Sequence, residues 1–227
     1  MSVWQNLLET AGASFALLVV ATVGLSWLNG LLVQHIVNRR GKASSQLWLM
    51  KPGLLVHESL HALVGKLFGL HIAEYSLRPD ANGRTAGHVT FTYSKKSLWQ
   101  RLGLSVAASA PLWGISAILV LSGKWILWPG QPWRAISVAT ISAPWWQILL
   151  WVGVALLLSF GANLSSQDLK GAAKGLPFLV LVLLAMFALS WWLAPALLLG
   201  WRQVNLVACG VVLLLGCFSG LAAVITR

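Results

Sequence analysis

His57-Glu58-Ser59-Leu60-His61 is the stretch of this chain whose residue types and spacing point most directly to chemistry. On a helix, residues four apart share a face, so His57 and His61 can offer two imidazole nitrogens to one Zn²⁺. Glu58, beside them, can reach a water on that ion. These are the parts needed for peptide-bond hydrolysis. The pattern fixes only three positions, and the plain alternative is a pair of core histidines with hydrogen-bond partners. The surroundings weigh against that alternative. The motif lies in an oily segment, residues 47–70, and an ionisable side chain at the centre of a bilayer costs roughly 2.5–3.5 kcal/mol on insertion scales.

A catalytic zinc generally takes three protein ligands and keeps one position open, so a further ligand must come from elsewhere. The extended metzincin pattern would need Gly and His at positions 64 and 67, which are Val64 and Leu67. The candidates are Asp168, Glu74, Asp80, His71 and His88. Asp168 follows the end of an apolar segment, where a chain turning back toward the metal would supply a carboxylate. Ser165-Ser166-Gln167-Asp168 also reads as a helix start, with a serine cap and an acid in the first turn. Local sequence leaves both roles open.

The elements that must position these groups are membrane helices. Of 227 residues, 58% are hydrophobic and 9% charged, against about a quarter charged in an ordinary soluble domain. Apolar runs long enough for a ~30 Å hydrocarbon core number about six. They cover residues 12–37, 47–70, 98–121, 145–163, 176–201 and 204–225. The expected fold is an all-α integral membrane protein, a single membrane domain over residues 1–227. No Lys or Arg precedes Arg39, so the first segment lacks the basic start of a signal peptide and is expected to be retained.

Residues 71–97 are polar yet patterned and predict one membrane-associated β-hairpin. Ile72 to Leu77 forms one strand and Pro79-Asp80-Ala81-Asn82-Gly83 carries turn chemistry. From Gly87 to Tyr93, Val89, Phe91 and Tyr93 fall on one face. An irregular amphipathic loop is the alternative. Gly65 shares the His61 face and would let a neighbour approach closely.

The formal net charge of +11 sets 16 Lys and Arg against Glu9, Glu58, Glu74, Asp80 and Asp168. Basic residues flanking membrane helices are topology signals and contacts with anionic lipid, so no nucleic-acid partner is implied. Of the 14 Trp, Trp125, Trp128, Trp133, Trp145, Trp146, Trp191, Trp192 and Trp201 lie near predicted span ends and are expected as interfacial anchors. Arg78, Arg84, Lys95, Lys96, Lys170 and Lys174 outnumber the bases of the opposite face and put the hairpin and the 165–174 loop on the cytoplasmic side. Arg39, Arg40 and Lys42 go against this on six spans. Cys209 and Cys217 are eight apart, roughly 12 Å along a helix, too far for a disulfide.

In their order, these features resemble the site-2 protease family of intramembrane zinc metalloproteases. The resemblance runs from about Leu47 to Gly171: His57-Glu58-Ser59-Leu60-His61, then Gly87-His88-Val89-Thr90-Phe91, then Ser109-Ala110-Pro111, then Asn163 and Asp168. It implies zinc held by His57, His61 and Asp168, with Glu58 as general base. It also implies substrate contacts at His88, Val89 and Asn163; from its own surroundings His88 reads first as a solvated or hydrogen-bonded histidine. The chain departs from the family pattern in that Leu169 follows Asp168 and no proline separates it from Asn163. It would be a divergent member without an inserted regulatory domain.

The expected function is therefore an intramembrane metalloprotease acting on a membrane-anchored protein substrate in the lipid bilayer, with the plasma membrane as the expected site. The alternative is a non-catalytic metal-binding scaffold, or an ion or proton transporter using His57, Glu58 and His61. No repeat of the His57 region occurs in the C-terminal half. Substrate identity and oligomeric state are left open.

Overall fold

The structure, a computed structural model, describes residues 2–40, 47–77, 87–136 and 138–225. A helical rod opens the chain: α1 (Val3–Leu7), a π-helical turn (Leu8–Gly12) and α2 (Ala13–Arg40). Then follow α3 (Leu47–Leu67), β1 (His71–Ser76), β2 (His88–Thr92) and α4 (Leu98–Leu127). The chain continues through α5 (Trp145–Ser159), α6 (Ser166–Ala173), α7 (Leu176–Leu193) and α8 (Ala196–Ile225).

Each of the six apolar segments contains a helix, though α3 stops at Leu67 and α5 at Ser159, and among the described residues four stretches are long and apolar enough to cross a membrane: Val3–Leu28, Leu98–Leu127, Leu176–Leu193 and Ala196–Phe218. α5 is apolar but has only 15 residues, about 22 Å of helix. α3 is long enough at 21 residues, yet it carries Lys51, His57, Glu58, His61 and Lys66. Side chains such as Trp125, Trp145, Leu181 and Trp192 point outward. In water such a surface would drive aggregation, and in lipid it is the contact face.

The break before α8 falls at Ala194 and Pro195 rather than at residues 202–203 as the apolar runs predict. The residue before a proline is disfavoured in helical geometry, and Ala194 sits at φ −153°, ψ 72°. Trp201 consequently lies inside α8, where its indole N–H donates to the Ser14 hydroxyl at 2.8 Å. Near it, Arg202 pairs with Glu9 at 3.0 Å. The Asn205 amide donates to the carbonyls of Glu9 and Thr10, at 3.3 and 3.0 Å, groups within the π-turn. These bonds fasten the first helix to the last.

Around the motif, α3 packs on α4 and α5, and α4 packs on α6. The closest approach is backbone to backbone, because a Cβ on Gly161 would overlap the Gly53 carbonyl. One core cluster is centred on Leu112, Ile115, Leu119, Ala155 and Ala162. A second, with Val64, Leu70, Ala107 and Ala110, lies under the hairpin.

The hairpin forms as an antiparallel pair with His71 opposite Thr92 and Ser76 opposite His88, interrupted by a bulge between Ile72 and Glu74. Val89 and Phe91 are half-buried while Thr90 and Thr92 are exposed, as predicted, but Tyr93, assigned to the Val89 face, is exposed and lies beyond β2. The Phe91 ring seats on Gly65, where a Cβ would collide with it. The predicted turn, with Arg78, Asp80 and Arg84, lies outside the described residues.

Candidate metal centre

His57 and His61 are both buried on the inner face of α3. Their rings meet edge to face with centroids 4.6 Å apart. Each Nδ1 faces a backbone carbonyl: His57 that of Gly161 at 2.7 Å, and His61 that of Ala107 at 2.7 Å. A carbonyl oxygen only accepts, so each bond requires the hydrogen on Nδ1. Both Nε2 atoms are then left with lone pairs, and they converge at 2.9 Å. A backbone carbonyl behind the ring is the usual way to fix the tautomer and orientation of a metal-binding histidine.

Asp168 completes the group. Its Oδ1 lies 3.4 Å from His61 Nε2 and its Oδ2 lies 3.6 Å from His57 Nε2. A tetrahedral ion with bonds of about 2.0–2.2 Å separates its ligand atoms by about 3.3 Å, close to these spacings. Two imidazoles and one carboxylate thus offer ligand atoms that all lie within 4.8 Å of one another. His57, His61 and Asp168 could hold a metal ion.

Asp168 lies on α6, outside the apolar helices. The capping role predicted for it is also present, and it belongs to the same carboxylate. Ser165 caps α6: its hydroxyl accepts from the Asp168 N–H at 3.1 Å, and its own N–H donates to Asp168 Oδ2 at 3.0 Å. The Ser165 hydroxyl also lies 2.6 Å from that oxygen. The Ser165 N–H donates to Asp168 Oδ2 and its hydroxyl lies against the same oxygen, and hydrogen bonds to a carboxylate favour its ionised form. An ionised carboxylate and two lone pairs facing one point form an arrangement that a cation satisfies.

Glu58 is buried beside this group. Gly87, which leads into β2, passes so close that a Cβ there would stand 3.2 Å from Glu58 Oε1. The start of the second strand therefore covers the carboxylate. Asn163 is buried on the turn between α5 and α6, and its Oδ1 has no hydrogen-bond partner among the described residues. His88 Nε2 pairs with Glu74 Oε1 at 3.1 Å, so Glu74 serves the hairpin. Val89 is half-buried opposite Tyr75, and His71 is exposed opposite Thr92. Asp80 lies outside the described residues.

No family model, curated protein or solved structure compared with the chain matches it. The centre rests on its own geometry.

Three contributors were not singled out from the sequence: the carbonyls of Ala107 and Gly161, and the Ser165 hydroxyl as a partner of the carboxylate. Pro111, four residues after Ala107, and Gly161 near the end of the apolar run 145–163 are the local signals that could have found the two carbonyls.

Proposed function

We propose that this chain is an intramembrane zinc metalloprotease, a divergent relative of the site-2 proteases. What carries the reading is the convergence of two carbonyl-anchored imidazoles and the Asp168 carboxylate beside a buried Glu58, in a bundle whose outer surface is apolar. Nitrogen and carboxylate donors at tetrahedral spacing suit Zn²⁺. When bound, zinc supplies Lewis-acid chemistry, polarising a carbonyl and acidifying water. In this reading α3 and α5 complete a bundle of six spans.

Glu58 is the general base: it takes a proton from the attacking water and returns it to the leaving amine. Burial keeps bulk water from competing for its carboxylate. A substrate helix must unwind to expose a peptide bond, and unpaired backbone groups are costly in lipid. Among the described residues the sheet has two strands, and an extended substrate added as a third would have its backbone satisfied. His88 and Val89 on β2 would lie along that path. Asn163 Oδ1, buried and without a partner among the described residues, would accept a substrate N–H.

The basic residues of the 71–97 and 165–174 segments support a site near the cytoplasmic face of the plasma membrane. Thiol labelling of Lys95→Cys from the outside only would reverse that orientation.

The deciding experiment measures zinc in the purified protein and cleavage of a panel of membrane-anchored substrates. About one zinc per chain with cleavage that a chelator stops is the expected result. Zinc without cleavage of any substrate would favour the metal-binding scaffold.

A further inference from the structure

We propose that Pro111 is a positioning residue of the metal centre, and that its function is to leave the Ala107 carbonyl free for His61. This rests on reading His57, His61 and Asp168 as the metal ligands.

In an α-helix the carbonyl of residue i accepts the N–H of residue i+4. For Ala107 that donor would be residue 111, which is proline and has no N–H. The proline ring also crowds the carbonyl four residues back and turns it out of the ladder. Ala107 is fully buried, and Pro111 is among the most deeply buried side chains of the protein. Water is not at hand to take the donor's place, and a buried carbonyl needs a partner. The partner is the His61 imidazole, with Nδ1 2.7 Å from the Ala107 oxygen.

The consequence reaches the metal position. With its hydrogen committed to Ala107, the His61 ring presents Nε2 as a lone pair, 2.9 Å from His57 Nε2 and 3.4 Å from Asp168 Oδ1. The other imidazole obtains a free carbonyl differently. Gly161 lies beyond the last residue of α5, where ladder donors run out. Its i+4 residue, Ser165, gives its N–H to Asp168 instead. A helix end serves His57, and a proline in mid-helix serves His61, because α4 continues as helix past this depth.

A proline that only bends α4 makes a different forecast. Pro111→Ala adds the missing N–H, and alanine is a far better helix residue, so a purely architectural role predicts unchanged zinc affinity in any variant that folds. The positioning role predicts that the added N–H competes for Ala107 and loosens His61. Loss of an outer partner of a metal ligand typically weakens metal binding about 10–100-fold.

The test uses the full chain in detergent and measures zinc affinity by competition with a chelator for the wild type, Pro111→Ala, Pro111→Gly and Pro52→Ala. Glycine adds the same N–H without a side chain, and Pro52→Ala repeats the proline-to-alanine change at an in-helix proline of α3. A 10–100-fold loss in both Pro111 variants, with Pro52→Ala near wild type and thermal unfolding showing all three folded, is the expected result. ¹⁵N-histidine spectra of the zinc-free protein should show His61 protonated at Nδ1 in the wild type and mixed tautomers in Pro111→Ala. Wild-type zinc affinity in the Pro111 variants, or an equal loss in Pro52→Ala, overturns the role of Pro111. A wild-type chain that binds no zinc overturns the metal-centre reading instead.

Discussion

The Ser165 hydroxyl lies 2.6 Å from Asp168 Oδ2, while Asp168 Oδ1 faces His61 Nε2 at 3.4 Å. Oδ2 closes the cap of α6 while lying 3.6 Å from His57 Nε2, and Oδ1 is turned to His61. In the proposed centre an oxygen already receiving the Ser165 N–H and hydroxyl would be the weaker donor, so Oδ1 would be the oxygen that holds the ion.

Ser165 should therefore matter more for metal than for stability. Glycine caps helices nearly as well as serine, at a cost of a few tenths of a kcal/mol, whereas alanine costs about 1 kcal/mol. Ser165→Gly should unfold close to the wild-type temperature yet bind zinc about 10–100-fold more weakly, and Ser165→Thr should restore affinity. Chelator competition beside thermal unfolding checks this. Wild-type affinity in Ser165→Gly would reduce the serine to a cap.

Glu58→Gln keeps the side-chain shape and removes the base. Cleavage should fall by roughly 10²–10⁴-fold, with zinc content unchanged because Glu58 is not among the clustered ligand atoms. The readouts are single-turnover cleavage and metal analysis on the same preparation. Undiminished cleavage would remove Glu58 from the mechanism.

Gly161→Ala places a methyl group into the Gly53 carbonyl. Overpacking typically costs about 1–3 kcal/mol. Separating α5 from α3 should also withdraw the carbonyl that holds His57, so lowered thermal stability and weakened zinc binding should appear together. Gly153→Ala, with open space around it, is the control and should change neither. A stable Gly161→Ala with full zinc would show that the backbone contact does not set the site.

How far the sequence could be read follows the range of the interactions. The histidine pair depends on helical spacing alone, and the hairpin on alternation within a few residues. Both emerge nearly as predicted, with β1 at His71–Ser76 and β2 at His88–Thr92. The start of α8 was equally local, since Pro195 marks it, but hydropathy runs smoothly across Ala194 and obscured it. Asp168 stayed ambiguous because cap and ligand use the same residue type, and only the packing of α6 on α4 brings the capping carboxylate to the two imidazoles of α3. The carbonyls of Ala107 and Gly161 depend on which helices meet at which height. Pro111 marks the Ala107 carbonyl as free, but no spacing rule within a single segment says which imidazole meets it.

The third ligand is decided by comparing Asp168→Ala with Glu74→Ala. Asp168 lies within reach of both Nε2 atoms, whereas Glu74 is engaged with His88 at 3.1 Å on the exposed hairpin. Asp168→Ala should be inactive and metal-poor after mild chelation, and should lose about 1 kcal/mol from the cap. Glu74→Ala should keep its zinc, because a half-exposed cross-strand pair contributes little. Asp168→Asn sharpens the comparison. It retains a polar side chain in the first turn of α6 and removes the negative charge, so a role limited to capping predicts full zinc and near-native stability. Metal depletion in Asp168→Asn at near-native stability would identify the charge itself as what the site requires, and full zinc there with loss in Glu74→Ala would move the ligand to the hairpin.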